Sequence, residues 1–160
     1  TWTEFDLRAR QLMRFKRSAA VEIAVRFEGV DYHLQKAHGK WLVRKPEGHR
    51  LSSQSDAEAL LEAMDNVPAL AIEAAKAPAD LGKYGLEGAM CTILVVTEEV
   101  FADPDRPQRV PHGPLEVGGV CPDNSRERYA LAGKHPELFR ISQDLIDAMR
   151  EALRGVQKAP

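Results

Sequence analysis

The sequence predicts an α+β fold, an antiparallel sheet packed with two helices, and three observations carry that expectation. Apolar and polar residues alternate from Val21 to Phe27 and again from Met90 to Thr97, the period of a half-buried strand. Turn signals at Glu28–Gly29 and at His38–Gly39–Lys40 separate short alternating runs, the spacing of hairpins rather than of crossover units. Two stretches, Ala57 to Val67 and Leu145 to Leu153, repeat apolar residues at three and four positions, as a helix with one buried face does.

Each element follows in chain order. Phe5, Ala9, Leu12 and Met13 place an amphipathic helix or arm over residues 1–18, with its regular part from Asp6 to Ser18. Val21, Ile23, Val25 and Phe27, then Tyr32 and Leu34, then Trp41 and Val43 form a three-stranded meander that Pro46 and Gly48 stop. Ser55–Asp56–Ala57–Glu58 reads as a capping box, so a helix starts there and presents Leu60, Leu61 and Met64 to the sheet before Pro68. Ala69 to Lys76 is ambiguous between helix and extended edge. Asp80–Leu81 and Tyr84–Gly85–Leu86 mark a turn with a glycine suited to positive φ. The strongest strand runs from Met90 to Thr97, and Glu98 to Gly113, with its three prolines, is expected to be a long loop. Strands resume at Leu115–Val117, where Gly118–Gly119 suggests a bulge or bend, at Arg128–Ala132, and at Phe139 and Ile141. Ser142 caps a last helix, and Gly155 stops it.

At this scale the chain is one domain, 1–160, in which strand-strand-strand-helix occurs twice, over 20–67 and 88–154. A chain of 160 residues buries roughly two-thirds of its extended surface, so it has a real core. The charges, 22 basic against 24 acidic, give no field that would recruit nucleic acid by default. The acid-free cluster Arg8, Arg10, Arg14, Lys16 and Arg17 reads as a solvated helix face before it reads as a phosphate contact. No apolar run is long enough to span a membrane, and no targeting segment is recognisable from Thr1 onward.

Several of these pieces, taken together, resemble the bacterial family known as domain of unknown function 4340. They are the strand ending at Phe27, Gly39–Lys40–Trp41 followed by Pro46, Leu60–Leu61, and Asp80–Leu81 with Tyr84–Gly85–Leu86. Leu115–Glu116–Val117–Gly118, Tyr129–Ala130 and Ile141–Ser142 continue the likeness, which covers about Leu12 to Leu153. Tyr84–Gly85–Leu86 after Asp80–Leu81 is its most specific part. The resemblance implies an extracytoplasmic or membrane-tethered body encoded beside components of an ABC-type transport system. It carries over no catalytic residue, because none is known for the family.

Candidate chemistry is sparse. His33 and His38 are the nearest histidine pair but would not share a strand face, and no acidic ligand is fixed beside them. Ser142 serves better as a helix cap than as a nucleophile with His112 and Asp144, since it lacks the Gly-x-Ser-x-Gly elbow. Gly118–Gly119 lacks the context of a phosphate cradle, and no metal or cofactor is expected. Trp41 and Tyr84 read as packing residues. Trp2 and Phe5 are apolar residues at a chain end and, with Arg8 and Arg14, are the candidate partner contacts.

Cys91 and Cys121 lie on the odd faces of strands that the long loop would join. A register pairing Val95 with Val117 and Ile93 with Gly119 would set Cys91 opposite Cys121. They are then either two buried thiols or, in an oxidising compartment, a disulfide. The functional expectation is a non-enzymatic structural or protein-interaction module with a protein partner, part of an envelope or transport-associated assembly if the resemblance holds. The alternative is a small-molecule-binding protein or hydrolase whose site is assembled only in three dimensions.

Overall fold

Alternation of apolar residues at period two and glycine turns at positive φ build the centre of the molecule. The computed structural model of the chain describes residues 11–133 and 135–160. β1 (Gln11–Met13) leads through a short 3-10 turn into β2 (Ala20–Phe27), β3 (Val30–Ala37) and β4 (Lys40–Lys45). Glu28–Gly29 and His38–Gly39 each place two successive residues at positive φ, the geometry of a two-residue hairpin turn. β5 (His49–Leu51) precedes α1 (Gln54–Met64), β6 (Val67–Pro68) and β7 (Ala71–Ala74). β8 (Cys91–Glu99), β9 (Gln108–Cys121), β10 (Asn124–Ala132) and β11 (Leu138–Ser142) follow, then α2 (Asp144–Leu153) and β12 (Val156–Lys158).

Eight strands make one sheet in the order β4-β3-β2-β8-β9-β10-β11-β7, and all its pairings are antiparallel. This is the expected α+β architecture. β2 and β8 are neighbours within it, and from each the next two strands step outward in chain order before a helix follows. The fourth strands differ: β11 joins the main sheet, whereas β5 leaves it and pairs with β12. Both helices lie on one face. Ala57, Leu60, Leu61 and Met64 of α1 and Leu145, Ile146, Met149 and Leu153 of α2 join Ile23, Val25, Ile93, Val95, Leu115 and Val117 in a single buried cluster.

Four expectations need correction. The helix expected through Ser18 is not formed over its described part, where Gln11–Met13 is strand β1, paired with β6. Buried Met13 and Phe15 alternate with exposed Arg14 and Lys16, and strand pairing overrides a helical spacing carried by few residues. The capping box lies two residues earlier: Ser53 is the cap, and the Asp56 carboxylate accepts the Ser53 backbone N–H at 2.9 Å. Gln54 is thereby placed to bond the Trp41 main chain, accepting its N–H at 2.7 Å and donating to its carbonyl at 3.0 Å. The long loop shrinks to residues 100–107, because β8 and β9 pair out to Glu99 opposite Gln108. Pro111 fits in β9 because there β9 has run past its last pair with β10, Leu115 with Ala132, and Pro114 sits at a bulge beside Gly113.

The last correction concerns register. Cys91 is opposite Val117 and Ile93 opposite Leu115, four residues away from the expected pairing, and Val95 is opposite His112, five away because a bulge intervenes. Four residues along a strand is about 13 Å, beyond the reach of a disulfide. Both thiols are free and buried, in separate apolar clusters. Burial pushes the Cys91 thiol up to about 12. A thiol reagent is accordingly expected to modify neither cysteine in the native protein and both after denaturation; titration of one native thiol within minutes would contradict this burial.

Candidate interaction surface

The second face of the sheet is covered over half its width only. Over β9, β10 and β11 the segment from Asp80 to Leu86 packs down. Leu86 and Tyr84 meet Tyr129, Cys121 and Leu138 in a second apolar cluster, and the Tyr84 and Tyr129 rings stand edge to face with centroids 4.9 Å apart. Gly118 and Gly119 permit this approach. A Cβ at Gly118 would lie 2.4 Å from the Tyr84 carbonyl oxygen, and one at Gly85 would lie 2.6 Å from the Gly119 nitrogen. Of the bulge or bend expected at this glycine pair, a bulge is present, since two residues of β10 span three of β9 between Arg128–Val120 and Ala130–Val117. Arg140 clamps the same half, donating to Glu73 at 2.7 Å and Asp123 at 2.8 Å with Glu127 at 3.5 Å, while it lies over the Tyr129 ring.

Over β4, β3, β2, β8 and the start of β9 nothing among the described residues covers this face. Registers across the sheet arrange its side chains in rows. Ala24 is flanked by His33 and Leu94, Glu22 by Gln35 and Val96, and Arg26 by Asp31 and Thr92. Thr92 neighbours Glu116, and Val96 neighbours Pro111. A groove of about 410 Å³ runs between these rows, lined by Ala24, Arg26, His33, Thr92, Leu94 and Pro114 among others. A second, of about 520 Å³, continues from Arg26 and Thr92 to the wall formed by Leu86 to Met90.

Charge on this face is held at its rim. His33 Nε2 lies 2.9 Å from Glu22 Oε1, and Arg109 donates to Glu22 Oε2 at 2.8 Å. Arg26 stands 3.9 Å from Asp31, with both side chains more than three-fifths exposed. Half-buried Ala24 and Leu94 fill the middle, and half-buried Val96 lies beside Glu22. An apolar centre ringed by satisfied or loosely held charges is the anatomy of a protein interface.

Other candidates fall elsewhere. Trp2, Phe5 and Arg8 lie outside the described residues. Arg14 is exposed and lines a small cavity of about 140 Å³ together with His112, Gly133 and His135, away from the open face. His112 Nε2 lies 2.9 Å from the hydroxyl of fully buried Thr97, and its ring packs on Phe15. Ser142 Oγ accepts the Asp144 N–H at 3.1 Å, so it serves the start of α2 although the cap position is Gln143. His33, His112 and Ser142 are therefore not brought together. Trp41 is 4% exposed in the core, and Tyr84 packs on Tyr129.

The groups whose proton affinity shifts are tied to structure. Burial raises Cys91 and Cys121, and burial lowers Arg128, whose guanidinium bonds Gln143 and the Gly118 carbonyl. Hydrogen bonds from Gln143 and Arg126 hold Asp147 below the ordinary carboxylate value. None of these groups lines the grooves of the open face. Among the described residues no helix is long and apolar enough to cross a membrane, and no three His, Cys, Asp or Glu side chains gather as metal ligands. Comparison with family models, with curated proteins and with solved structures finds no match.

Proposed function

We propose that this domain is a non-enzymatic protein-interaction module whose working surface is the uncovered half of the sheet. The observation that carries this reading is the contrast between the two halves of one face. One is sealed by the 80–86 segment and a clamped arginine, and the other leaves half-buried Ala24, Leu94 and Val96 uncovered by any described segment, with charged residues at its rim. The resemblance noted in the sequence extends the proposal to an accessory part of a bacterial envelope or transport-associated assembly with a protein partner. The small-molecule or hydrolase alternative gains less support, because His33 in the open groove is engaged by Glu22, while His112 lies against buried Thr97 and Ser142 serves the start of α2 elsewhere. A photo-reactive residue in place of Leu94 is expected to give one discrete cross-linked adduct in cells, and the same residue in place of exposed Glu151 on α2 none. Equal labelling from both positions would contradict the assignment of the surface.

A further inference from the structure

The pattern of charge on the open face is self-complementary about one residue. On β2, Glu22 and Arg26 lie two positions either side of Ala24 and point to the same face. On the flanking strands Val96 and Thr92 lie either side of Leu94, and Gln35 and Asp31 either side of His33. On β9, Pro111 with neighbouring Arg109 occupies the Glu22 side, and Glu116 the Arg26 side. A twofold axis lying in the interface, running across the strands through Ala24, exchanges these two sides and leaves each strand over its own copy.

We propose that a second copy of this chain covers the open face in this arrangement, an inference that rests on reading the face as an interaction surface. Ala24 then meets Ala24 and Leu94 meets Leu94 at the centre, while Arg26 of each copy faces Glu22 of the other, and Glu116 faces the Arg109 side. Acid meets base at the charged rows, whereas an axis running along β2 would set Glu22 on Glu22 and Arg26 on Arg26. The charge pattern therefore selects one of the two simple stackings. Arg26 is free to take this role because its own contact with Asp31 is long and exposed. Ala24 leaves room for the two sheets to approach at the aligned packing distance of about 10 Å.

Five strands by three rows make a patch of about 20 by 20 Å, or about 400 Å² per copy. That is below what tight complexes bury, so the association is weak and reversible. Sedimentation of the intact chain between about 10 µM and about 1 mM is expected to show the average mass rising toward twice the monomer. Arg26→Glu alone and Glu22→Arg alone each place like charges across the axis and are expected to weaken the dimer at least about tenfold, whereas their equimolar mixture restores it as a heterodimer. Ala24→Cys is expected to give a symmetric dimer with a short bifunctional thiol cross-linker, which spans the gap between stacked sheets that a disulfide cannot, and Val30→Cys, exposed at the first residue of β3, is not. A chain that stays monomeric throughout, or a dimer indifferent to both charge reversals, would overturn the inference. If monomers persist while the Leu94 probe still labels a different protein, this inference fails and the interaction-surface reading stands.

Discussion

Gly118→Ala is expected to lower the stability of the domain by about 2–3 kcal/mol and its melting temperature by roughly 5–10 °C. The added methyl would sit 2.4 Å from the Tyr84 carbonyl oxygen and 2.9 Å from Leu86 Cγ, and the first of these is backbone that cannot rotate away. The variant is therefore expected to lift the Asp80–Leu86 segment and open the cluster of Leu86, Cys121, Tyr129 and Leu138 to water. Gly118 is not among the glycines at positive φ, so the effect is one of close approach rather than of backbone freedom. Gly88→Ala supplies the contrast: its φ is +68° with nothing within 4 Å, so about 1 kcal/mol of backbone strain is all that follows. Thermal melts of the two variants separate the causes, and equal losses would contradict the seating of the segment on the glycine pair.

Arg140→Met should cost about 2 kcal/mol, because one guanidinium, 14% exposed, ties β7, β10 and the β9–β10 turn through Glu73, Glu127 and Asp123. Methionine keeps the stem that covers Tyr129 but leaves three carboxylates facing one another. The pH dependence distinguishes this from lost packing. The hydrogen bond from Arg140 holds Asp123 below its ordinary value of 3.8 in the folded state, so the stability that this carboxylate contributes is present above that value and is lost as pH falls through the lowered one. The gap between wild type and variant is expected to narrow as pH drops below about 4. A gap independent of pH would assign the loss to packing instead.

Much of the fold was legible in the sequence because strand faces follow a period of two. The meander, its two hairpin turns and the buried set of α1 all stand where alternation and helical spacing put them. The β8–β9 hairpin shows the limit of that signal. A slip of four residues at Cys91 and Ile93 preserves parity, and a bulge absorbs the fifth before Val95, so Cys91, Ile93, Val95, Leu115 and Val117 are buried as expected although every pairing partner differs. The slip came from the prolines, which read as loop but are accommodated at a strand overhang and a bulge. β1, β5, β6 and β12 are two or three residues long and exist through pairing with distant chain, so no local pattern announces them. The seat for Tyr84–Gly85–Leu86 was half visible, as a glycine turn and a glycine bulge, but their contact spans more than thirty residues. For the same reason the open face could not be read in advance. Glu22, Ala24 and Arg26 alternate plainly in the sequence, yet which half of the sheet is left uncovered depends on where the 80–86 segment lands.

The claim that this uncovered half is the working surface is tested most directly by cross-linking from its centre. With a photo-reactive side chain at Leu94, at Val96 or at Glu151, a discrete adduct of one composition, identified by mass spectrometry, is expected from the first two positions and none from the third. Adducts from Glu151 with none from Leu94 and Val96 would place the contacts of this protein on its helical side and contradict the account.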